Sequence, residues 1–436
     1  MTYIYDVNSF FRFFNPQFME GVTYGMRIEI IIILCGIGYY VWSKRKTVLS
    51  TFLVVLFSYS FIFLIGNLPN LIHGLSQGSF NTSPEEVMSY LNIVINKSNI
   101  FYNTLHEGAL SVTPLRFLQL GFSKLLSQIY FIFSVILGLL IFWKIDPKKF
   151  FVVLKNSRPE RVNFYVVCLL CGAGFAYINN LGSPFVWVDV LGIVCLVISW
   201  IALWMHAVHV NDVVDVDIDK ISNINRPLIK KDMNPENMGD VGNLWLVVAL
   251  LGSWSAGYYP FFMSLVYIAA SHIYSSPPLR LRRFPILSSF IISIACLATI
   301  LAGFFFVSTD KQIQTFPILL SIGIIVMVTL AINFKDIKDI EGDKVNGIVT
   351  LPILFGENGI KIVGLCLALS MFLAPIFLSF YSLYIIALPC AVVGYKLATK
   401  KPYREKPIFI LRFVFITCIS IFYLLTYWLG HIYNLV

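Results

Sequence analysis

The stretch PILSSFIISIACLATILAGFFFV, from Pro285 to Val307, contains no charged residue. A helix needs roughly 20 mostly apolar residues to cross the hydrocarbon core of a bilayer, and this run is long enough. It lacks the period-two alternation of an outer-membrane barrel strand. It therefore reads as a transmembrane helix. Runs of the same kind recur from near residue 28 to residue 430. Whole-chain composition agrees: 58% of the 436 residues are hydrophobic and 13% are charged, with a mean hydropathy of +0.79. Soluble domains carry about 45–50% apolar and about 25% charged residues. The chain is predicted to be an all-α polytopic membrane protein.

Working outward from Pro285–Val307, twelve candidate spans emerge. Three lie near 28–42, 47–67 and 122–143. Nine more lie near 163–181, 187–210, 241–258, 260–274, 285–307, 315–334, 359–380, 382–398 and 408–430. The basic, proline-containing stretch Lys144 to Arg161 separates the groups, giving an N-terminal transmembrane extension over 1–160 and a nine-span domain over 161–436. The net charge of +9 does not imply a nucleic-acid partner, because it sits in short loops rather than in one patch. Loops holding Lys44–Lys46, Lys144–Arg161, Lys220–Lys231, Arg280–Arg283, Lys335–Lys344 and Lys396–Lys406 are basic, whereas the alternate loops contain only Lys311. Cytoplasmic loops carry the excess of lysine and arginine, so this alternation puts the basic loops in the cytoplasm and both termini outside. The expected location is the cell (plasma) membrane. The 68–121 loop then faces outward and holds two sequons, at Asn81 and Asn96. Met1 to Gly25 shows no basic region leading into an apolar core, so a cleavable signal peptide is not expected there. The eight cysteines, including the Cys168–Cys171 pair, lie in or beside apolar runs and read as small buried hydrophobes.

Two places break the apolar character with acids. The first is Asn211-Asp212-Val-Val-Asp215-Val-Asp217-Ile-Asp219, the second Asp336-Ile-Lys-Asp339-Ile-Glu341-Gly-Asp343. Asp212, Asp215 and Asp219 match Asp336, Asp339 and Asp343 at a constant offset of 124 residues, as an internal duplication would leave them. Four spans separate the motifs, so both emerge on one face of the membrane. Positions four apart share a face of an α-helix, which lines up Asn211, Asp215 and Asp219, and likewise Asp339 and Asp343. Carboxylates packed this closely repel unless cations neutralise them. Clustered oxygen ligands suit Mg²⁺, which completes its shell with water and substrate phosphates. The bland alternative is a set of solvated loop acids paired with nearby lysines. Against it stands the repeated spacing, at membrane depth, where ionisable groups are functional candidates.

Cationic residues share these loops. Arg226, Lys230 and Lys231 follow the first motif, and Tyr274-Ser-Ser-Pro-Pro-Leu-Arg280-Leu-Arg282-Arg283 joins two later spans. Arginine suits bidentate phosphate contact, although basic loop residues also set topology.

Taken together, NDxxDxxxD at Asn211–Asp219, YSSPPLRLRR at Tyr274–Arg283 and DxxDxEGDKxxGxxTLP at Asp336–Pro352 resemble the UbiA superfamily of intramembrane prenyltransferases, over roughly residues 161–436. The Tyr274 loop is most similar to that of chlorophyll synthases and related phytyl or geranylgeranyl transferases. The resemblance implies a nine-helix transmembrane bundle that transfers an isoprenyl group from an isoprenyl diphosphate to a hydrophobic acceptor, an aromatic ring or a lipid alcohol. It implies Mg²⁺ held by Asn211, Asp215 and Asp219 with Asp336, Asp339 and Asp343, with Asp212 in support. It also implies diphosphate contacts from Arg226, Lys230, Tyr274 and Arg280 or Arg282. Asp215, Asp339, Arg226 and Tyr274 are the expected catalytic residues. The sequence departs from the family after Arg226-Pro227, which runs into Leu-Ile-Lys-Lys-Asp-Met.

Chemically, a cationic allylic group forms as diphosphate leaves, and it needs a dry cavity and aromatic faces. His206 and His209 precede the first motif and read either as acceptor contacts or as satisfied interior histidines. Two other functional classes fit less well. A CDP-alcohol phosphotransferase carries DGxxAR followed by GxxxDxxxD, which this chain lacks. A cation-coupled transporter buries its carboxylates near mid-span on broken helices, whereas these lie where spans reach the cytoplasm.

Overall fold

The computed structural model describes residues 24–66, 68, 74–75, 84–100, 114–179, 181–182 and 185–432. The Asn81 sequon lies outside the described residues. Among the described residues nine helical stretches are long and apolar enough to cross a membrane, from Val48–Ile65 to Lys406–Thr426. Of the twelve expected spans, those near 28–42, 241–258 and 260–274 are helical, as Tyr24–Arg45, Pro235–Ala256 and Tyr258–Ser275. They are 22, 22 and 18 residues long but are not among the nine that also meet the apolar requirement over their described residues. The chain is an integral, multi-pass, all-helical membrane protein.

Two compact units divide it: Met1–Phe133 with Pro184–Leu191, and Ser134–Ser183 with Gly192–Val436. In the first unit, α1 (Tyr24–Arg45) packs on α2 (Val48–Gly66), followed by α3 (Pro84–Lys97) and the start of α4 (Pro114–Ile145). Its small core holds Ile95, Ile100, Leu125, Ile129 and Val188. The Asp189 carboxylate accepts from the Asn99 and Val186 amides at 2.7 and 2.9 Å, which satisfies a buried charge.

Among the described residues the second unit contains, after α5 (Pro147–Lys155), nine long helices: α6 (Pro159–Ile178), α7 (Trp187–Val214, which enters this unit at Gly192), α9 (Pro235–Ala256), α10 (Tyr258–Ser275), α11 (Leu287–Val307), α12 (Ile318–Ala331), α15 (Gly359–Phe377), α16 (Tyr384–Thr399) and α17 (Lys406–Ile432). Three short helices come between them: α8 (Val216–Ser222), α13 (Ile340–Val345) and α14 (Leu351–Leu354). Without a hydrophobic force between helices in lipid, small residues let backbones approach. A Cβ on Gly172 of α6 would lie 1.9 Å from the Ile300 carbonyl, and one on Gly303 of α11 would lie 1.9 Å from that of Leu169. The two glycines therefore set this crossing from both sides.

The acidic motifs do not run as single α-helices. α7 ends at Val214, Asp215 takes φ −99° and ψ 17°, and α8 follows from Val216. In the second motif Ile332–Asp339 is a 3-10 helix, Asp339 takes φ −99° and ψ 3°, and α13 follows. The break falls at duplicated positions. In the 3-10 segment residues three apart share a face, as they also do on an α-helix, so Asp336 joins Asp339 there. α8 and α13 touch at Gly342, where a Cβ would meet Ser222 Oγ at 2.2 Å and the Ile218 carbonyl at 3.2 Å.

Candidate active site

The motif ends converge on a cavity of about 140 Å³. Asn211, Asp219, Arg226, Tyr274, Arg282, Asp336 and Asp339 all line it. At its centre Arg282, on the turn after α10, is buried. It bonds Asp215 of the first motif and reaches Asp343 at 3.3 Å and Asp339 at 3.9 Å in the second. Asn223 is a second bridge, donating to Asp219 Oδ1 at 2.8 Å and to Asp339 Oδ1 at 3.1 Å. Asp215 and Asp339, distant in sequence, therefore share one guanidinium. The left-handed backbone at Arg280 (φ 41°) turns the loop so that its side chain donates to Asp215 Oδ1 at 2.7 Å.

Not every expected residue faces the cavity. Asp212 does not itself line the cavity: Asn156 donates to it at 2.7 Å, and two cavity-lining arginines reach it, Arg158 in an ion pair and Arg226 at 4.0 Å. Asp215, Asp343 and Arg280 belong to the ion-pair network but not to the lining. Lys230 is exposed and outside the lining, because the turn after Arg226-Pro227 carries it to the surface. The Tyr274 hydroxyl accepts from Lys335 Nζ at 2.6 Å, with the ammonium 4.4 Å from the ring centre. His206 and His209 are interior residues: His206 Nδ1 sits 2.8 Å from the Gly242 carbonyl and its Nε2 3.2 Å from His272 Nε2. His209 Nδ1 sits 2.6 Å from the Met205 carbonyl, and neither histidine lines the cavity.

Several site residues escape a motif reading. Arg158, Arg161, Lys335 and Lys338 line the cavity. Glu405, from the loop before α17, pairs with Arg161 and with Lys338 at 2.8 Å. Burial works against its charge, but Arg161 and Lys338 overcome that and hold its carboxyl down at about 2. Asn223 had a signal, since it extends the series 211, 215, 219 by four.

Electrostatically the site is short of positive charge at particular oxygens. Burial pushes Asp219 up to about 6, against the pull of Arg226 at 3.8 Å. Asp343 Oδ2 is buried without a hydrogen-bond partner. Among the described residues no three acidic, histidine or cysteine side chains already converge as a metal cage. Mg²⁺ does not require one, because it usually takes one or two protein carboxylates and fills its shell with water and phosphate oxygens. Hard oxygen donors with an orphaned carboxylate oxygen suit such an ion.

The cavity has an apolar end as well. Phe164, Tyr165, Trp204, Tyr267 and Phe409 line it, with Tyr165 5.5 Å from Trp204 and 5.4 Å from Tyr267 between ring centres. One chamber therefore offers cations and carboxylates at one end and aromatic faces at the other.

Comparison with known proteins places this geometry. Residues 165–419, more than half of the chain, match the model of the UbiA prenyltransferase family. The chain is 28% identical over 190 residues to naringenin 8-dimethylallyltransferase 2 of Sophora flavescens, covering 41% of this chain and 46% of the relative. It is 28% identical over 225 residues to chlorophyll synthase of Avena sativa, covering 48% and 56%. It thus spans about half the length of these relatives. A UbiA homolog from Archaeoglobus fulgidus, solved bound to GPP and Mg²⁺, superposes with a TM-score of 0.50 at 16% identity, covering 63% of this chain and 99% of that one, which is a likeness of fold. On the extent of the family match and this shared bundle, the chain belongs to the UbiA prenyltransferase family.

Proposed function

We infer that the protein transfers an isoprenyl group from an isoprenyl diphosphate to a hydrophobic acceptor, an aromatic ring or a lipid alcohol, with Mg²⁺ as cofactor. Residues 161–436 carry the transfer and residues 1–160 are an extension to it. The acidic motifs face the cytoplasm, and the protein resides in the cell membrane. The observation that carries this reading is the meeting of both motifs on Arg282 beside an aromatic-walled chamber.

Arg282, Arg226, Arg158, Arg161 and Lys335 surround the polar end and receive the diphosphate oxygens. Asp219, Asp336 and Asp339 face the same space, with Asp215 and Asp343 just behind. These acids would hold Mg²⁺, whose charge stabilises negative charge building on the departing diphosphate. When the carbon–oxygen bond breaks, its electron pair leaves with diphosphate, and fixed guanidinium groups stabilise that charge without reorganising. Phe164, Tyr165, Trp204 and Tyr267 present ring faces to the allylic cation and exclude water from it. The acceptor's nucleophilic atom then bonds to that carbon and gives up a proton. Tyr274 keeps Lys335 aimed into the chamber through their 2.6 Å hydrogen bond.

The test uses the full chain in lipid nanodiscs with geranylgeranyl, farnesyl or dimethylallyl diphosphate and a panel of acceptors. Diphosphate release is expected with Mg²⁺ and not with EDTA, and Asp215→Asn and Asp339→Asn should each lower turnover by about 10²-fold or more. Full turnover in both variants would remove the site as assigned.

A further inference from the structure

The short helix α5 joins the end of α4 to the start of α6. On either side of it Ser123–Ile145 and Pro159–Ile178 are long and apolar enough to cross a membrane. The 23 residues of the first rise roughly 35 Å, against a hydrocarbon core of about 30 Å. The chain has therefore left the hydrocarbon by Ile145, and α5 lies at the membrane surface. Its two faces differ. Val153 is buried with Met205 of α7, Met238 of α9 and Met233 of the loop before α9, and the Phe150 ring sits edge-on 5.6 Å from that of Phe142. The other face carries Lys148, Phe151 and Lys155 at i, i+3 and i+7, with Leu154 beside them, and all four are exposed. Phe151 is 53% exposed, Leu154 46% and the preceding Ile145 78%. Asp146 caps the helix by accepting from the Lys149 amide at 3.0 Å and pairs with its ammonium at 3.3 Å. Among the described residues no acid pairs with Lys144, Lys148 or Lys155.

Exposed phenylalanine and leucine between lysines match a helix seated where headgroups meet acyl chains: the apolar side chains enter, and the lysine stems reach up to phosphates. Lysines clustered immediately beside a membrane span attract anionic lipid. The far end of α5 runs into the active site. Asn156, its C-cap, donates to Asp212 at 2.7 Å. The Ser157 carbonyl accepts from the Trp204 indole at 2.7 Å, and Arg158 pairs with Asp212. Trp204 and Arg158 both line the chamber. We propose that α5 docks on anionic phospholipid, with Lys144, Lys148 and Lys155 on the phosphates and Phe151 and Leu154 in the acyl boundary, and that this seating holds Asn156 and Arg158 on Asp212. The docking stands apart from the transfer activity inferred above; only its effect on turnover rests on that activity.

The experiment compares the full chain in nanodiscs of phosphatidylcholine alone and of phosphatidylcholine with phosphatidylglycerol in equal parts, by hydrogen–deuterium exchange over residues 144–158. With phosphatidylglycerol at low salt the wild-type amides should exchange about 10-fold more slowly, and high salt should shrink that difference. Combining Lys144→Gln, Lys148→Gln and Lys155→Gln should erase it, with exchange in phosphatidylcholine alone unchanged, and Phe151→Ser should weaken it. Equal wild-type exchange in the two lipids, or a difference that survives in the triple variant, overturns the proposal. So does protection in phosphatidylcholine alone that grows with the number of chains per disc, which marks a second copy as the occupant. Should the triple variant fail to reconstitute, the wild-type lipid comparison and its salt series still decide. Diphosphate release in the same discs should rise with phosphatidylglycerol for wild type and not for the triple variant. Release indifferent to lipid, with exchange still responding, overturns the link from α5 to Asp212. No release in any disc, with the exchange difference intact, strikes the transfer reading and leaves the docking supported.

Discussion

Replacing Arg282 with methionine removes the one cation whose guanidinium reaches acids of both motifs and leaves Asn223 as the remaining bridge. The Arg282 side chain is 10% exposed, against 3% for Asp215, 0% for Asp343 and 13% for Asp339. The three acids do not lose equally. Asp215 keeps Arg280 at 2.7 Å, and Asp339 keeps the Asn223 amide at 3.1 Å. Asp343 keeps no cation, and its Oδ2 already lacks a partner. Stripping one partner from a buried ion pair costs about 3–5 kcal/mol, and the surviving contacts put this case near about 3 kcal/mol. An unfolding entropy of about 2.1 cal/mol/K per residue over roughly 300 residues converts that to a fall of about 5 °C in apparent midpoint. Thermal scans in detergent at one fixed rate, with EDTA and with Mg²⁺, measure it. Mg²⁺ should raise the variant's midpoint by more than the wild type's, because a divalent ion supplies part of the missing charge. A variant whose midpoint stays within about 1 °C of wild type, with the same response to Mg²⁺, would refute the hub assigned to Arg282.

Two further outcomes are expected. Glu405→Gln should destabilise the protein at neutral pH by about 3 kcal/mol, since depressing a carboxyl from 4.5 to about 2 is worth about 1.4 kcal/mol per unit. A depressed carboxyl stabilises above its ordinary value and loses that contribution as pH falls towards 2, so wild type and variant should converge in acid; a gap unchanged from pH 7 to pH 3 contradicts the pairing with Arg161 and Lys338. Gly342→Ala places a methyl 3.2 Å from the immobile Ile218 carbonyl and 2.2 Å from the movable Ser222 Oγ. It should cost about 1–3 kcal/mol by overcrowding and lower turnover as α8 and α13 separate, and adding Ser222→Ala should restore only part of the loss in thermal midpoint and diphosphate release.

The helices and the acidic residues were legible because their signals are local: unbroken apolar runs, and a spacing repeated at 124 residues. The breaks at Asp215 and Asp339 were not, since an α-helical spacing and a kink followed by a second helix leave similar patterns of residues four apart. Arg158 and Arg161 read as topology signals in a basic linker. Their role depends on Asp212, 54 residues from Arg158, and on Glu405, 244 residues from Arg161, which no local pattern records. Lys230 is the converse: it sits in the right loop, but the chain turns it outward.

The motif acids read as metal ligands and the arginines as phosphate contacts, yet here the two groups neutralise one another. Arg158 pairs with Asp212, Arg226 lies 3.8 Å from Asp219, Arg280 pairs with Asp215, and Arg282 spans Asp215 and Asp343. The two assignments are compatible because burying an uncompensated charge is costly whichever sign it carries. A chamber built to receive a polyanion with its divalent ions must hold carboxylates and guanidinium groups in one small space. Without those ligands, only pairing between the two sets keeps it folded. With them, the acids would turn to metal and the arginines to phosphate, so that neither state would leave a charge exposed to hydrocarbon. On this argument the ion pairs around Arg282 are the resting form of the same machinery that would bind the donor. The orphaned Asp343 oxygen and the elevated Asp219 carboxyl mark where that resting neutralisation is incomplete and a cation is still wanted.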